Sequence, residues 1–184
     1  MELIDKDKRD GYVYDPIIKQ YDTSFWKSTT GTPAMATNVI RYNADASASF
    51  GQHLFADVEF NLTVPVKPTA GQARFWGLRF PVGTGFGSIY FEVSGTTFQA
   101  VSIGQGGTSE TTAITWIDGT WTAAAINYRI RWENDEVRFY VNGTLYVTHV
   151  AQVPQTALPL MISNSSADNL DLNYLAVRRA AGII

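Results

Sequence analysis

The segment Tyr128-Arg-Ile-Arg-Trp-Glu-Asn-Asp-Glu-Val-Arg-Phe-Tyr-Val-Asn-Gly-Thr-Leu-Tyr-Val-Thr-His-Val150 decides the fold class. Apolar and polar residues alternate on both sides of Asn134-Asp135, which is the period of strands with one buried face. Asn142-Gly143 tolerates positive φ at both central positions of a tight turn, and so predicts a hairpin. The run from Thr144 to Val150 supplies a third strand. The segment therefore predicts an antiparallel meander.

The rest of the chain continues the β pattern. Leu54 to Val64 is the clearest single alternating run, and Pro65 ends it. Alternation slips within the last run, where a bulge near Asn173-Tyr174 would restore the register. Outside the meander, strands are predicted over the following ranges: 37–42, 46–50, 54–64, 74–80, 88–93, 97–103, 111–117, 158–163 and 170–177.

No stretch shows a helical period of useful length, and the chain contains no sustained repeat and no linker. We therefore predict an all-β fold, a two-sheet antiparallel β-sandwich of about a dozen strands. Residues 34–184 form this single domain. Residues 1–33 are rich in aromatic and charged side chains and are predicted to be an extended N-terminal arm. The arm packs either on the domain itself or on a neighbouring subunit.

Composition excludes several classes of protein. A chain of 184 residues fits one domain, and without cysteine it has neither disulfides nor thiolate metal sites. The net charge of −3 argues against nucleic acid or an anionic membrane as a general partner. The charged N-terminus lacks the apolar core of a secretory signal, which predicts synthesis in the cytoplasm.

A family resemblance comes from the hairpin of the form Y-x-I-x-W … V-x-F-Y-V-N-G. An apolar strand punctuated by Pro154 and Pro159 follows it. Together they resemble the concanavalin A-like lectin/glucanase superfamily over residues 74–178. That superfamily includes laminarinase-type glycosidases, laminin-G-like modules and many sugar-binding domains. The resemblance implies a jelly-roll sandwich, but a fold does not fix a function.

The resemblance also allows a test for catalysis. Laminarinase-type members place their acids on one strand as Glu-x-Asp-x-Glu or Glu-x-Asp-x-x-Glu, because cleavage needs two carboxyl groups across the glycosidic bond. The comparable strand here begins at Ser88, and Glu92 is its single acid. Tyr90 and Ser94 take the neighbouring positions on the same face. The sequence therefore predicts no catalytic residue and a protein that is not an enzyme.

Other groups able to do chemistry lie in ordinary strand and turn contexts. Asp57 and Glu59 share the polar face of a strand, which is typical of a solvated face. His53 and His149 are interpreted as strand residues, and they offer no zinc spacing. The segments 43–47 and 168–171 contain oxygen ligands, so calcium remains open beside the interpretation as plain turns. No cofactor and no metal site is predicted.

Sugar is the small ligand that the pattern favours. Pyranose rings present flat apolar faces that suit aromatic side chains placed beside polar groups. Tyr90 and Glu92 alternate against apolar neighbours, which predicts their exposure, whereas Trp76 is compatible with a core position as well. The candidate glycan-binding residues are Arg74, Trp76, Tyr90, Glu92 and Trp121.

These observations lead to a functional expectation. We expect a non-catalytic, lectin-like jelly roll in a larger assembly, such as a decoration, fibre or adhesion component of a virus or phage particle. Its partners would be other copies of itself or virion or surface proteins, with glycans as possible ligands, and it would act in the virion or outside the cell. The alternatives are a stand-alone carbohydrate-binding module and a divergent glycoside hydrolase.

Overall fold

The computed structural model describes residues 12–14, 26–31, 33–36, 39–54, 56–63, 73–80, 87–95, 97–115, 125–133 and 135–179. Every regular element in these ranges is a β-strand. The strands are β1 (Tyr12–Tyr14), β2 (Trp26–Thr30), β3 (Ala34–Ala36), β4 (Val39–Tyr42), β5 (Ala46–Leu54), β6 (Ala56–Thr63), β7 (Ala73–Arg79), β8 (Ser88–Ser94), β9 (Thr97–Ile103), β10 (Ser109–Ala113), β11 (Ile126–Glu133), β12 (Glu136–Val141), β13 (Thr144–His149), β14 (Leu158–Asn164) and β15 (Leu170–Arg179). In this part of the chain no helix is long and apolar enough to cross a membrane.

The strands form two antiparallel sheets. We call the sheet ordered β10-β9-β8-β7-β14-β5-β2 the front sheet, and the sheet ordered β13-β12-β11-β6-β15-β4-β3 the back sheet. β1 also belongs to the back sheet, where it pairs with β15. This arrangement confirms the predicted all-β sandwich. β1 and β2 lie within the predicted N-terminal arm and form short strands of the two sheets.

The central meander is confirmed residue by residue. Tyr128 pairs with Val141, and Val141 pairs with Thr144, so β11, β12 and β13 are consecutive neighbours. The turn between β12 and β13 has φ of 49° at Asn142 and 78° at Gly143. Positive φ at both positions is the geometry of the tight hairpin that this residue pair favours.

The interpretation of 54–64 as one strand is wrong at its beginning. Leu54 ends β5 in the front sheet, and Ala56 begins β6 in the back sheet. The chain therefore crosses from one sheet to the other here, although the alternation of apolar residues continues. Alternation reports which side of a strand is apolar, and it does not report a change of sheet. The predicted bulge is confirmed, because the register of β15 against β6 shifts between Leu172 and Tyr174.

The core lies between the two sheets and is built around aromatic rings. Trp76 of the front sheet lies 4.8 Å from Tyr128 of the back sheet, measured between ring centroids. Phe91 and Phe139 meet across the same interface at 5.2 Å. Successive side chains of a strand point to opposite faces, so each strand that contributes to this core also has an outer face.

Candidate functional site

The outer face of the front sheet brings together two of the predicted site residues. On β8, Ile89, Phe91 and Val93 are fully buried in the core. Tyr90 and Glu92 alternate with them and so point away from it. Glu92 is half-buried, whereas Tyr90 is 7% exposed. The two side chains share one face, as predicted, but the predicted exposure of Tyr90 is wrong, because its ring is buried on that face.

Glu92 lies between two strands, each of which places a side chain beside it. Its partner on β9 is Gln99, whose Nε2 donates a hydrogen bond of 2.6 Å to Oε2 of Glu92. Its partner on β7 is Phe75. Among the described residues, Oε1 of Glu92 has no hydrogen-bond partner. One carboxylate oxygen is therefore fixed by an amide, and the other is available to a ligand.

The position of Tyr90 depends on a glycine. Gly77 of β7 lies directly opposite Tyr90, and a Cβ atom there would stand 2.5 Å from the Tyr90 Cα. The glycine lets the two strands keep this close approach. Burial raises the pKa of the Tyr90 hydroxyl; Arg79 opposes the rise and Glu92 adds to it. Tyr90 therefore remains a neutral hydrogen-bond donor at neutral pH.

Arg79 covers the aromatic residues of this face. Its guanidinium carbon lies 4.7 Å from the ring centroid of Phe75 and 5.2 Å from that of Tyr90. The two rings are 5.7 Å apart, so the cation rests on both. Contacts of this kind are cation–π interactions. Arg79, Phe75 and Gln99 complete a cluster with Tyr90 and Glu92 that we call the front cluster.

Sequence analysis did not identify Phe75, Arg79 and Gln99 as members of the front cluster. Phe75 and Arg79 share the face of Gly77, and a glycine inside a strand marks a close approach by a neighbour. Counting two residues in each direction from Gly77 would have found both. Gln99 follows once β8 and β9 are paired, because Glu92 then lies opposite it.

The outer face continues beyond the front cluster on β14 and β5. Ser163 of β14 is the cross-strand partner of Phe75, so it lies in the same row of paired residues as Glu92. Met161 is the partner of Gly77 and lies in the row that contains Tyr90. On β5, Ser47 and Ser49 extend the two rows. Five strands about 4.8 Å apart give a surface about 19 Å wide. Ser163 is half-buried, whereas Met161, Ser47 and Ser49 are buried, so this face is most accessible near Glu92 and Phe75.

Arg74 and Trp76 lie on the opposite side of the sheet from the front cluster, and both are 0% exposed. Arg74 donates hydrogen bonds to Oδ1 of Asn164 at 3.1 Å and to Oγ of Ser166 at 2.9 Å. Burial lowers the pKa of Arg74, and the nearby Asp168 opposes this. The arginine thus ties β7 to the segment after β14. Trp76 belongs to the aromatic core, which was the alternative position considered for it.

The fifth predicted site residue, Trp121, lies outside the described residues. His53 is on β5, and its side chain is outside the described part as well. His149 is buried, and its ring nitrogens lie 2.9 Å from the Ser102 hydroxyl and 3.0 Å from the Thr112 hydroxyl. These two contacts link the back sheet to β9 and β10 of the front sheet. Burial lowers the pKa of His149.

The acid pairs of the back sheet have basic or amide partners. Asp57 forms an ion pair with Arg129, and Glu59 accepts a hydrogen bond of 2.8 Å from Asn127. Glu133 pairs with Arg131. Asp57 is buried beneath its ion pair, so it does not lie on the solvated face that the alternation indicated, whereas Glu59 is half-buried.

The two segments considered for calcium have contacts within the protein: in 43–47 the Asn43 carbonyl oxygen accepts a hydrogen bond of 3.1 Å from Asn164, and in 168–171 both aspartates lie beside an arginine. Asp171 accepts hydrogen bonds of 2.8 and 2.7 Å from Arg41. Oδ2 of Asp168 lies 4.0 Å from Arg74. Within the described residues, no three or more histidine, aspartate or glutamate side chains come close enough together to hold a metal ion.

Comparison with solved structures identifies the architecture. A β-glucanase from Bacillus licheniformis is similar with a TM-score of 0.74 and 17% identity, over 93% of this chain and 99% of that one. The chain has the concanavalin A-like lectin/glucanase fold. An endo-β-1,3-glucanase from Pyrococcus furiosus matches this fold with a TM-score of 0.72 and 16% identity, over 97% of both chains. The apo Crh5 transglycosylase matches with a TM-score of 0.71 and 15% identity, over 91% of this chain and 84% of that one.

No protein-family model matches the chain, and the curated proteins contain no match either. The resemblance inferred from the hairpin is therefore confirmed at the level of the fold.

The expected function is corrected by the same comparison. We expected a non-catalytic component of a virus or phage particle, and the similar concanavalin A-like structures are glucanases and a transglycosylase. Nothing in the comparison supports a virion, phage or decoration protein. The expectation was wrong because it used two absences as positive indications, the missing second acid on β8 and the missing signal sequence. Neither absence outweighs a fold that matches enzymes over nearly its whole length.

Proposed function

We propose that this protein acts on the glycosidic bonds of a β-linked polysaccharide, as a glycoside hydrolase or a transglycosylase. The observation that supports the proposal is Glu92 at the centre of the outer face of the front sheet. Among the described residues its Oε1 has no hydrogen-bond partner, and Gln99 fixes Oε2. The similar solved structures are a β-glucanase, endo-β-1,3-glucanases and a transglycosylase, which makes β-glucans the first substrates to test.

The contacts of Glu92 favour one role in the reaction. An amide N–H donor stabilises negative charge on the carboxylate that accepts from it. A retaining glycosidase requires such a carboxylate as its nucleophile, whereas its second carboxyl group begins the reaction as a protonated acid. We therefore assign Glu92 as the nucleophile or charge-stabilising group. In this proposal Tyr90, which remains protonated, would donate a hydrogen bond to the same sugar.

The proton donor is the second requirement. On the described outer face of the front sheet, Glu92 is the one carboxylate. Seven further acids lie outside the described ranges, namely Glu2, Asp5, Asp7, Asp10, Asp15, Asp22 and Asp118. Exchanging each of them for the corresponding amide tests whether one is the acid, and loss of cleavage with retained substrate binding would identify it.

The test of the proposed function is release of reducing ends from β-1,3-glucan and mixed-linkage β-glucan. Transfer of glucan to a fluorescent oligosaccharide acceptor is measured in parallel. The wild-type chain is expected to give one of these activities, and Glu92→Gln is expected to reduce it by at least about a thousandfold, because removal of a nucleophile abolishes the covalent step.

The matched control is Glu136→Gln. Glu136 is an ion-paired glutamate at the start of β12 in the back sheet, and we expect its substitution to leave the activity unchanged. Activity that survives Glu92→Gln would contradict the assignment of Glu92. A wild-type chain that binds glucan and neither cleaves nor transfers it would contradict the enzymatic function as a whole.

A further inference from the structure

Arg79 differs from the other arginines whose side chains the structure describes. Arg41, Arg74, Arg129, Arg131 and Arg138 each lie within 4.0 Å of a carboxylate oxygen. Within the same part of the chain, Arg79 forms no ion pair and its recorded contacts are the rings of Phe75 and Tyr90. It is half-buried on the outer face of the front sheet, in the row next to Tyr90.

The guanidinium also changes what the aromatic rings can bind. A neutral pyranose would stack its C–H face on the exposed face of an aromatic ring. Here the guanidinium carbon lies 4.7 and 5.2 Å from the centroids of the two rings, so the cation takes that place. A ligand at Phe75 and Tyr90 would therefore meet the positively charged guanidinium of Arg79 and its N–H donors.

The charge lies close to the reacting carboxylate. Phe75, on which the guanidinium rests, is the cross-strand partner of Glu92. Partners across antiparallel strands have Cβ atoms about 5 Å apart. A sugar that contacts Oε1 of Glu92 would thus place its own substituents, or those of the next sugar, over Arg79.

We infer that the polysaccharide carries an anionic substituent, a carboxylate or a sulfate ester, and that Arg79 binds it beside Glu92. This inference rests on the proposed function and names the class of its substrate. The planar guanidinium forms paired hydrogen bonds with carboxylate and with sulfate-like oxygens. Phe75 and Tyr90 hold it in place, so little side-chain freedom is lost on binding. An anionic group near Glu92 also requires a nearby cation to offset its repulsion.

The test is affinity electrophoresis of the full chain carrying Glu92→Gln, which prevents cleavage. Three gels contain a neutral β-1,3-glucan, a sulfated galactan and a polyuronate. We expect stronger retention by at least one of the anionic polymers than by the neutral glucan. Adding Arg79→Gln should weaken that retention by about ten- to a hundredfold, the usual cost of losing a charged hydrogen-bonding partner. Arg79→Lys should recover part of it, because lysine keeps the charge and loses the planar pair of donors.

The control is Arg138→Gln, which removes an ion-paired arginine on the back sheet and should leave retention unchanged. The difference between the sulfated polymer and the polyuronate identifies the substituent. Equal retention by neutral and anionic polymers, or retention that Arg79→Gln does not alter, would overturn the inference. If the wild-type chain cleaves neutral glucan and Arg79→Gln cleaves it equally well, this inference fails and the proposed function stands. If retention depends on Arg79 and no polymer is cleaved, this inference stands and the proposed enzymatic function fails.

Discussion

Exchanging Tyr128 for phenylalanine should stabilise the protein. Tyr128 is fully buried, and its hydroxyl oxygen has no hydrogen-bond partner among the described residues. Burying an unpaired hydroxyl costs about 1–3 kcal/mol. The substitution keeps the ring, which packs against Trp76 at 4.8 Å and Phe91 at 5.4 Å. Loss of the oxygen removes a few contacts of about 0.1–0.2 kcal/mol each, so the net gain is about 1 kcal/mol.

Urea unfolding measures this gain. With a slope of roughly 2 kcal/mol per molar urea, a gain of about 1 kcal/mol raises the midpoint by about 0.5 M at unchanged slope. Tyr140→Phe is the control, because Tyr140 lies on the outer face of the back sheet and its ring keeps its contact with Arg129. It should change stability by less than about 0.5 kcal/mol. A lower midpoint for Tyr128→Phe would refute the reasoning, since it would show that the hydroxyl is hydrogen-bonded in solution.

The pH dependence gives an independent check on Tyr128. Burial raises the pKa of its hydroxyl far above the ordinary value. As pH rises above about 10, the unfolded chain loses this proton while the folded protein keeps it, so stability falls by about 1.4 kcal/mol per pH unit. Phenylalanine has no such proton. The advantage of Tyr128→Phe should therefore grow by about 1 kcal/mol between pH 10 and 11, and an advantage that stays constant would contradict the burial.

Three further predictions concern single positions, and each is measured by urea unfolding. Gly77→Ala should lower the free energy of unfolding by about 3 kcal/mol, because the added Cβ would stand 2.3 Å from the carbonyl oxygen of Ile89. The control Gly106→Ala has open space around the added Cβ and should lower it by less than about 1 kcal/mol. Arg74→Met should lower the free energy of unfolding by about 2 kcal/mol, because Oδ1 of Asn164 and Oγ of Ser166 lose a charged donor and keep the backbone N–H groups of Ser166 and Asp168; a neutral result would mean that water replaces the guanidinium. Burial lowers the pKa of His149, so the unfolded chain gains this proton first as pH falls below about 6.5, and stability should fall towards pH 5.5 by no more than about 1 kcal/mol. His149→Gln should remove that decline, and an unchanged decline would assign it to other groups.

Structural features that depend only on residues adjacent in sequence could be predicted from the sequence. The tight turn at Asn142-Gly143 follows from backbone sterics, and the bulge in β15 follows from a break in alternation. The outward direction of Tyr90 and Glu92 follows from apolar residues on either side of them. These features are set by a period of two residues, which a sequence displays directly.

Features set by distant parts of the chain could not be predicted in this way. Both faces of β7 have aromatic and arginine residues, so its pattern does not show which of Trp76 and Phe75 is in the core. Arg74 is stable inside because Asn164 and Ser166, some ninety residues later, supply its hydrogen-bond acceptors. The crossing between β5 and β6 escaped detection because alternation continues through it.

The most direct measurement of the central claim is a crystal structure of the Glu92→Gln chain with a bound oligosaccharide. We expect a sugar lying across β7, β8 and β9, with a glycosidic oxygen within hydrogen-bonding distance of the side chain at position 92 and an anionic substituent at Arg79. An oligosaccharide bound to the back sheet, or bound to the front sheet without contact to position 92, would contradict it.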